Sequence, residues 1–318
     1  MLCKTLRIAN YHSSRPLMMP VDPEKSGHDT AKAYTTDEIV ALPGFPQCLS
    51  FCNQKLLEIH RQMPREVRYV ADLRRWVMTH GALALHFSHQ VDPTQPVLSA
   101  TNLFREIEHI GIASPNTVTS YLKEIHARGY IIALPQADQR VRAYRMTEFS
   151  EKMFYLYLQI SLQGLDLIDG AGRAERVNSD PRILTHMHPI FARRMLHDPL
   201  YYAPPPSIAP LVNTTIGISV LNEMTRAQKE KSTDDGRVYI HLGSASAMAK
   251  HYGVSRGNIA RLLSKVQNAG HYGQNASGTW VSAQLLRDHH ILQGLKMAHS
   301  AAAYSEAQKM RARELFCQ

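Results

Sequence analysis

The sequence predicts a mainly α-helical chain with two small β-hairpins, and three observations predict it. A helix–turn–helix pattern closed by a β-rich pair occupies residues 97–148, and the same pattern returns over 238–283. Apolar residues recur at helical spacing through most of the remainder. Between the patterned stretches lies YYAPPPSIAP, residues 201–210, where three consecutive prolines stiffen a linker. Length and composition agree, since 318 residues with 44% apolar and 20% charged side chains suit about two folded domains.

Residues 1–48 are polar with scattered Pro and Gly and read as poorly ordered, although Thr36-Asp37-Glu38 could cap a short helix. In 49–62, Leu49, Cys52, Leu56 and Ile59 share one helical face. Pro64 then starts a longer helix over about 65–88, which Pro93 and Pro96 break. After the first patterned stretch, 149–168 is a strongly apolar helix, 170–188 reads as loop, and Pro189 opens a short helix to about His197. A helix over about 210–230 precedes the charged turn Thr233-Asp234-Asp235-Gly236. The implied domains are 49–200 and 210–318, around a linker at 201–209.

The two patterned stretches are an internal repeat. GIASPNTVTSYLKEIHARGY and GVSRGNIARLLSKVQNAGHY align at an offset of 141, with one residue fewer in the second turn. Ser114, followed by Pro115 at the first helical position, and Ser255 are N-caps. Val118, Leu122 and Ile125 form one buried stripe, and Ile259, Leu263 and Val266 the other. Gly129 and Gly270 end these helices as C-caps, each fifteen residues after its serine. Tyr130–Leu134 and Arg140–Thr147 flank a turn in the first unit. In the second, Val238–Leu242 is a strand, Gly278 marks the hairpin turn and Trp280 lies on the return strand. Helix, turn, helix and hairpin make a winged helix. The fold class is therefore mainly α with small β-hairpin wings: two winged helix-turn-helix domains in tandem, joined by helices and a Pro-rich linker.

Residues 97–148 resemble the winged helix of the multiple-antibiotic-resistance-regulator (MarR) family. SPNTVTSYLKEIHARGYI is similar to that family's Ser-x-x-Thr-Val-Thr helix start and closing Gly. DQRVRAYRMT looks like its wing, with Asp138, Arg140, Arg145 and Thr147 in register. The resemblance implies a DNA-binding unit in which Arg140 reaches the minor groove and Asp138 orients the wing arginines. The second unit fits the generic winged-helix class.

A recognition helix presents its N-terminal, outward residues to base edges. In the first unit these are Asn116, Thr117, Thr119, Ser120 and Lys123; Asn can pair with adenine, and Thr methyls can contact thymine. In the second they are Arg256, Asn258, Arg261 and Lys265, with both arginines suited to guanine or phosphate. Ser114 and Ser255 cap helix N-termini that could bind phosphate, and Arg142 alternates with Arg140 along the wing strand. The net charge of +9 permits a polyanion partner, and 238–318 holds nine basic against three acidic residues.

These observations predict a sequence-specific double-stranded DNA-binding transcription regulator. The alternatives are a plasmid-type replication initiator on repeated origin sites and a winged-helix protein-interaction scaffold. The protein acts as a monomeric pseudo-dimer or as a homodimer through helices 65–88 and 149–168. No P-loop, dinucleotide, zinc-protease or nucleophile-elbow motif is present, so neither an enzyme nor a cofactor is expected. Cys48 with Cys52, His186 with His188 and His289 with His290 lack further ligands at metal spacing. Without a secretory signal or an apolar run of membrane-spanning length, a cytoplasmic, nucleoid-associated protein is expected.

Overall fold

The computed structural model describes residues 32–135, 142–214, 216–227, 233 and 235–316, the side chain of Arg68 excepted. It is mainly helical, with two three-stranded antiparallel sheets. Of the stretch 1–48, read as poorly ordered, 1–31 lies outside the described residues, and 36–41 and 45–48 are helical. Thr35 and Glu38 form a reciprocal capping box that opens α1 (Thr36–Ala41). Pro43-Gly44 turns the chain into α2 (Phe45–Gln62). Residues 36–48 are thus helical across the corner, because Ile39, Phe45 and Cys48 are all buried in the core.

The single helix expected over 65–88 is two, α3 (Pro64–Val70) and α4 (Leu73–Val91). The Asp72 carboxylate accepts from Arg75 N–H at 3.1 Å, and this N-cap starts the second one. From Val77 to Ser88 every residue of α4 is buried. The first repeat follows as β1 (Leu98–Ser99), α5 (Ala100–Ile107), α6 (Pro115–Ala127), β2 (Ile131–Ala133) and β3 (Ala143–Met146). Its sheet order is β1-β3-β2, with Leu98 opposite Tyr144 and Ile131 opposite Met146.

α7 (Glu148–Asp169) packs on α2, and at the crossing a Cβ on Gly164 would lie 2.5 Å from Cys52 Sγ. The stretch read as loop, 170–188, carries α8 (Arg173–Ser179) and most of the first half of α9 (Arg182–Leu196). Pro189 lies inside α9 instead of opening a helix. Ile183, Met187, Phe191 and Met195 recur at helical spacing, and their burial against α4 and α15 (Ala283–Phe316) outweighs the ~3 kcal/mol proline penalty. Arg173 is fully buried, its guanidinium bonded to Asp166 at 3.2 Å and to both oxygens of Asp169 at 2.7 Å. Tyr34 donates to the same Asp169 carboxylate at 2.7 Å.

The Pro-rich stretch is pinned. α10 (Pro199–Tyr202) buries Tyr201, and Ser207 and Ile208 are buried ahead of α11 (Ala209–Val212). α12 (Gly217–Arg226) leads to the second repeat: β4 (Arg237–Ile240), α13 (Ala245–Tyr252), α14 (Arg256–Asn268), β5 (Tyr272–Asn275) and β6 (Gly278–Ser282). Its sheet order, β4-β6-β5, repeats that of the first.

α15 contributes to both cores. Its 34 residues extend about 51 Å at 1.5 Å per residue. Leu285, Leu286 and Leu292 belong to the second core, whereas Leu295, Met297, Ala301 and Tyr304 belong to the first. The crossing needs small residues, since a Cβ on Gly294 would lie 2.5 Å from Val40 Cγ2 of α1. Among the described residues, no helix is long and apolar enough to cross a membrane.

Candidate nucleic-acid interface

The two repeats agree in local detail. α6 and α14 each have 13 residues. Ser114 accepts from Thr117 N–H and Ser255 from Asn258 N–H, both at 3.2 Å. Gly129 and Gly270 both take φ of 77°, a left-handed conformation that a side chain would strain. Beyond them Tyr130 N–H returns to Ile125 O at 2.9 Å, and His271 N–H to Val266 O at 3.0 Å. The preceding helices match as well. α5 and α13 each have eight residues and a serine cap, Ser99 or Ser244, and each pair is joined through a left-handed glycine, Gly111 or Gly253.

Burial fixes which side of each helix is free. In α6, Val118, Tyr121, Leu122 and Ile125 face the core. Asn116, Ser120 and Lys123 are exposed, as is Ser114 at the cap. Thr117 and Thr119 are half-buried with locally engaged hydroxyls: Thr117 Oγ1 lies 2.9 Å from Ser114 Oγ, and Thr119 Oγ1 donates to Pro115 O at 2.9 Å. Glu124 on this helix pairs with Arg128 at 3.0 Å and Arg75 at 3.6 Å, and these cations help hold its carboxyl below the usual range. Both guanidinium groups also sit on the Tyr69 ring, 4.4 and 4.5 Å from its centroid.

In α14 the inward residues are Ile259, Leu262 and Val266. Leu263, expected in the stripe, is half-buried against the same core, and Leu262 beside it is the fully buried one. Arg256, Arg261 and Lys265 are exposed, and Asn258 is half-buried. Arg261 Nε donates to Gly257 O at 3.2 Å, and a Cβ on Gly257 would meet nothing within 4 Å. The space beside Gly257 is therefore open. Ser264 and Asn268, not singled out from the sequence, are exposed further along, three residues beyond Arg261 and Lys265.

The carboxylates of 238–318 are engaged elsewhere. Asp288 accepts from Ser207 and Gln284, Glu306 pairs with Arg194, and Glu314 pairs with Arg311 at 3.0 Å and His186 at 3.1 Å. Among the described residues, no ion pair involves Arg256, Arg261 or Lys265. The outer face of α14 is accordingly a row of uncompensated cations. The face of α6 is mixed in charge.

Arg142 is exposed just ahead of β3, and Arg145 is exposed on it. Arg140 and Asp138 lie outside the described residues. In the second hairpin, Arg237 covers the Trp280 ring at 4.8 Å, and Asn275 Nδ2 donates to Tyr239 Oη at 3.0 Å. The cysteine and histidine pairs are packing elements. Cys48 and Cys52 are buried thiols against Gly164, His188 stacks on Phe87 at 4.4 Å, and His289 Nδ1 lies 2.9 Å from Thr225 Oγ1. Among the described residues, no three His, Cys, Asp or Glu side chains gather as metal ligands.

The apolar helices expected to offer a dimer surface are largely occupied within the chain. α4 is enclosed along its length from Val77, and α7 buries Leu158, Leu162 and Leu165. Comparison with protein-family models, curated proteins and solved structures finds no match to this chain.

Proposed function

We propose that the chain is a sequence-specific double-stranded DNA-binding transcription regulator that reads duplex DNA through two winged helices, the first of MarR type. The observation that carries this reading is the duplicated unit: two capped, glycine-ended helices of equal length, each backed by a sheet of the same order, the second with an uncompensated cationic face. α6 and α14 enter major grooves. Asn116 and Lys123 meet base edges in one, and Arg256 and Arg261 meet guanine or phosphate in the other. Arg140 occupies the adjacent minor groove, as the family resemblance implies. The α14 face supplies affinity and the α6 face much of the discrimination.

With the apolar faces of α4 and α7 filled internally, one chain acts as a pseudo-dimer on an asymmetric site. Genome-wide mapping of sites bound by the full chain tests the reading. Sites upstream of separate transcription units are the expected result. A cluster of direct repeats at one origin would instead identify a replication initiator. A stable protein complex without duplex enrichment would identify a scaffold.

A further inference from the structure

The second unit is not built from its own residues alone. Leu57 of α2, a helix of the first unit, packs against the second core. Arg61 follows four residues later, on the same face of α2. It reaches the last turn of α13, where its Nη2 lies 3.0 Å from His251 Nδ1. Its charge also acts on Tyr252, the next residue of α13. From there α13 ends at Gly253 and the chain enters Ser255, the cap of α14. A guanidinium of the first unit therefore stands at the turn of the second helix-turn-helix, beside the entry to its reading helix.

This contact leaves the charge unspent. Arginine only donates, so the His251 nitrogen that meets it accepts, and an accepting imidazole is neutral. Both side chains are exposed. Among the described residues Arg61 enters no ion pair, and its Nε and Nη1 make no hydrogen bond. The carboxylates around it are committed. Glu58 pairs with Lys55 at 3.1 Å, Asp72 caps α4, and Glu66 acts on Tyr130. On the other side Glu223 pairs with Arg226 at 2.7 Å. Lys250, next to His251, and Arg256, next to the cap, are exposed and enter no described ion pair.

Three cations from α2, α13 and α14 thus bracket one turn without a counter-charge. Such a grouping favours a polyanion, and the free donors of a guanidinium match a phosphate. In a helix-turn-helix the first helix crosses the DNA backbone while the second enters the groove, so phosphates pass beside this turn. We propose that Arg61, together with Lys250, holds a backbone phosphate of the duplex read by α14, so that a residue of the first unit completes the second unit's DNA site. The inference rests on the DNA reading of α14. It makes α2 a part of the interface, although α2 belongs to neither winged helix.

The test titrates the full chain with a duplex that it selects from a random pool, across a salt series. Arg61→Gln keeps a donor for His251 and removes the charge. It should weaken binding and lower the log–log salt slope by roughly 0.9, the loss of one phosphate contact. Lys250→Ala should act alike, and the double variant should lower the slope by roughly twice as much. Arg61→Lys should keep the wild-type slope. His251→Ala breaks the tie to Arg61 without removing a cation and should also keep the slope. Lys309→Ala, near the far end of α15, controls for the loss of one positive charge elsewhere and should change nothing. A wild-type slope in Arg61→Gln overturns the proposal. So does an equal fall in His251→Ala, which would make Arg61 a tie between the units and no more, or an equal fall in Lys309→Ala. The two readings fail separately. A chain that selects no duplex sinks the regulator and this site with it, whereas duplex binding with an unchanged slope in Arg61→Gln sinks this site alone.

Discussion

The hydroxyl groups of Thr79 and Tyr121 lie 2.8 Å apart in the core. Thr79 spends its proton on Arg75 O at 2.7 Å, so Tyr121 donates to Thr79 and α6 is tied to α4 by a directed bond. Tyr121→Phe removes that donor while keeping the ring. Stability should fall by about 1 kcal/mol, the usual net worth of such a bond. The shift in urea midpoint at an unchanged slope checks it, and Thr79→Val on the Tyr121→Phe background should add little further loss through this pair.

The cationic face of α14 makes a prediction about salt. Arg261→Ala and Lys265→Ala should each weaken binding to a selected duplex. If the lost contact is to phosphate, each should also lower the log–log salt slope by roughly 0.9. If Arg261 reads a base, the cost is about 1–3 kcal/mol and concentrates on one base position. Titrations of wild type and variants across a salt series distinguish the two. Wild-type affinity in both variants would remove α14 from the interface.

Buried histidines predict how stability depends on pH. Burial pushes His80 and His289 from the ordinary 6.5 down to about 3, and His188 well below its ordinary value. The folded chain keeps them neutral while the unfolded chain takes up protons below about pH 6.5, so stability is full above that value and declines as pH falls toward 3. His80→Phe should flatten the decline and cost little at neutral pH, because both ring nitrogens already lack hydrogen bonds. Urea midpoints measured from neutral pH down to pH of about 5, above the carboxylate range, check it.

Gly164 predicts a compensated pair. A Cβ there would stand 2.5 Å from Cys52 Sγ and 3.0 Å from Cys48 Sγ. Gly164→Ala should therefore destabilise by about 1–3 kcal/mol despite its better helix propensity. Adding Cys52→Ala removes the nearer obstacle and should recover part of that loss, which a double-mutant thermal series would show.

What could be read from the chain was what neighbouring residues decide among themselves. Ser114, Ser255, Gly129 and Gly270 mark helix ends through bonds spanning three to five residues, and the structure reproduces all four. The exposure of Asn116, Lys123, Arg256, Arg261 and Lys265 follows from the buried stripes by helical geometry. Thr117 and Thr119 were less legible, because a hydroxyl turned onto its own helix depends on the rotamer. α9 was hidden by Pro189, whose local penalty is outweighed by distant packing. The inner half of α15 was hidden for the opposite reason: Gly294, Ala298, Ala301 and Ala307 carry little hydrophobicity, and their burial reflects close approach.

The long α15 has a consequence for synthesis. Its residues from Leu295 to Ala307 plug a core whose other walls, α2, α4, α7 and α9, are complete by Leu196. A growing chain therefore carries an open apolar trough for about a hundred residues before its own plug leaves the ribosome, several seconds at ordinary elongation rates. The first core closes only when α15 is in place, so a prematurely terminated chain would be a substrate for chaperones and proteases.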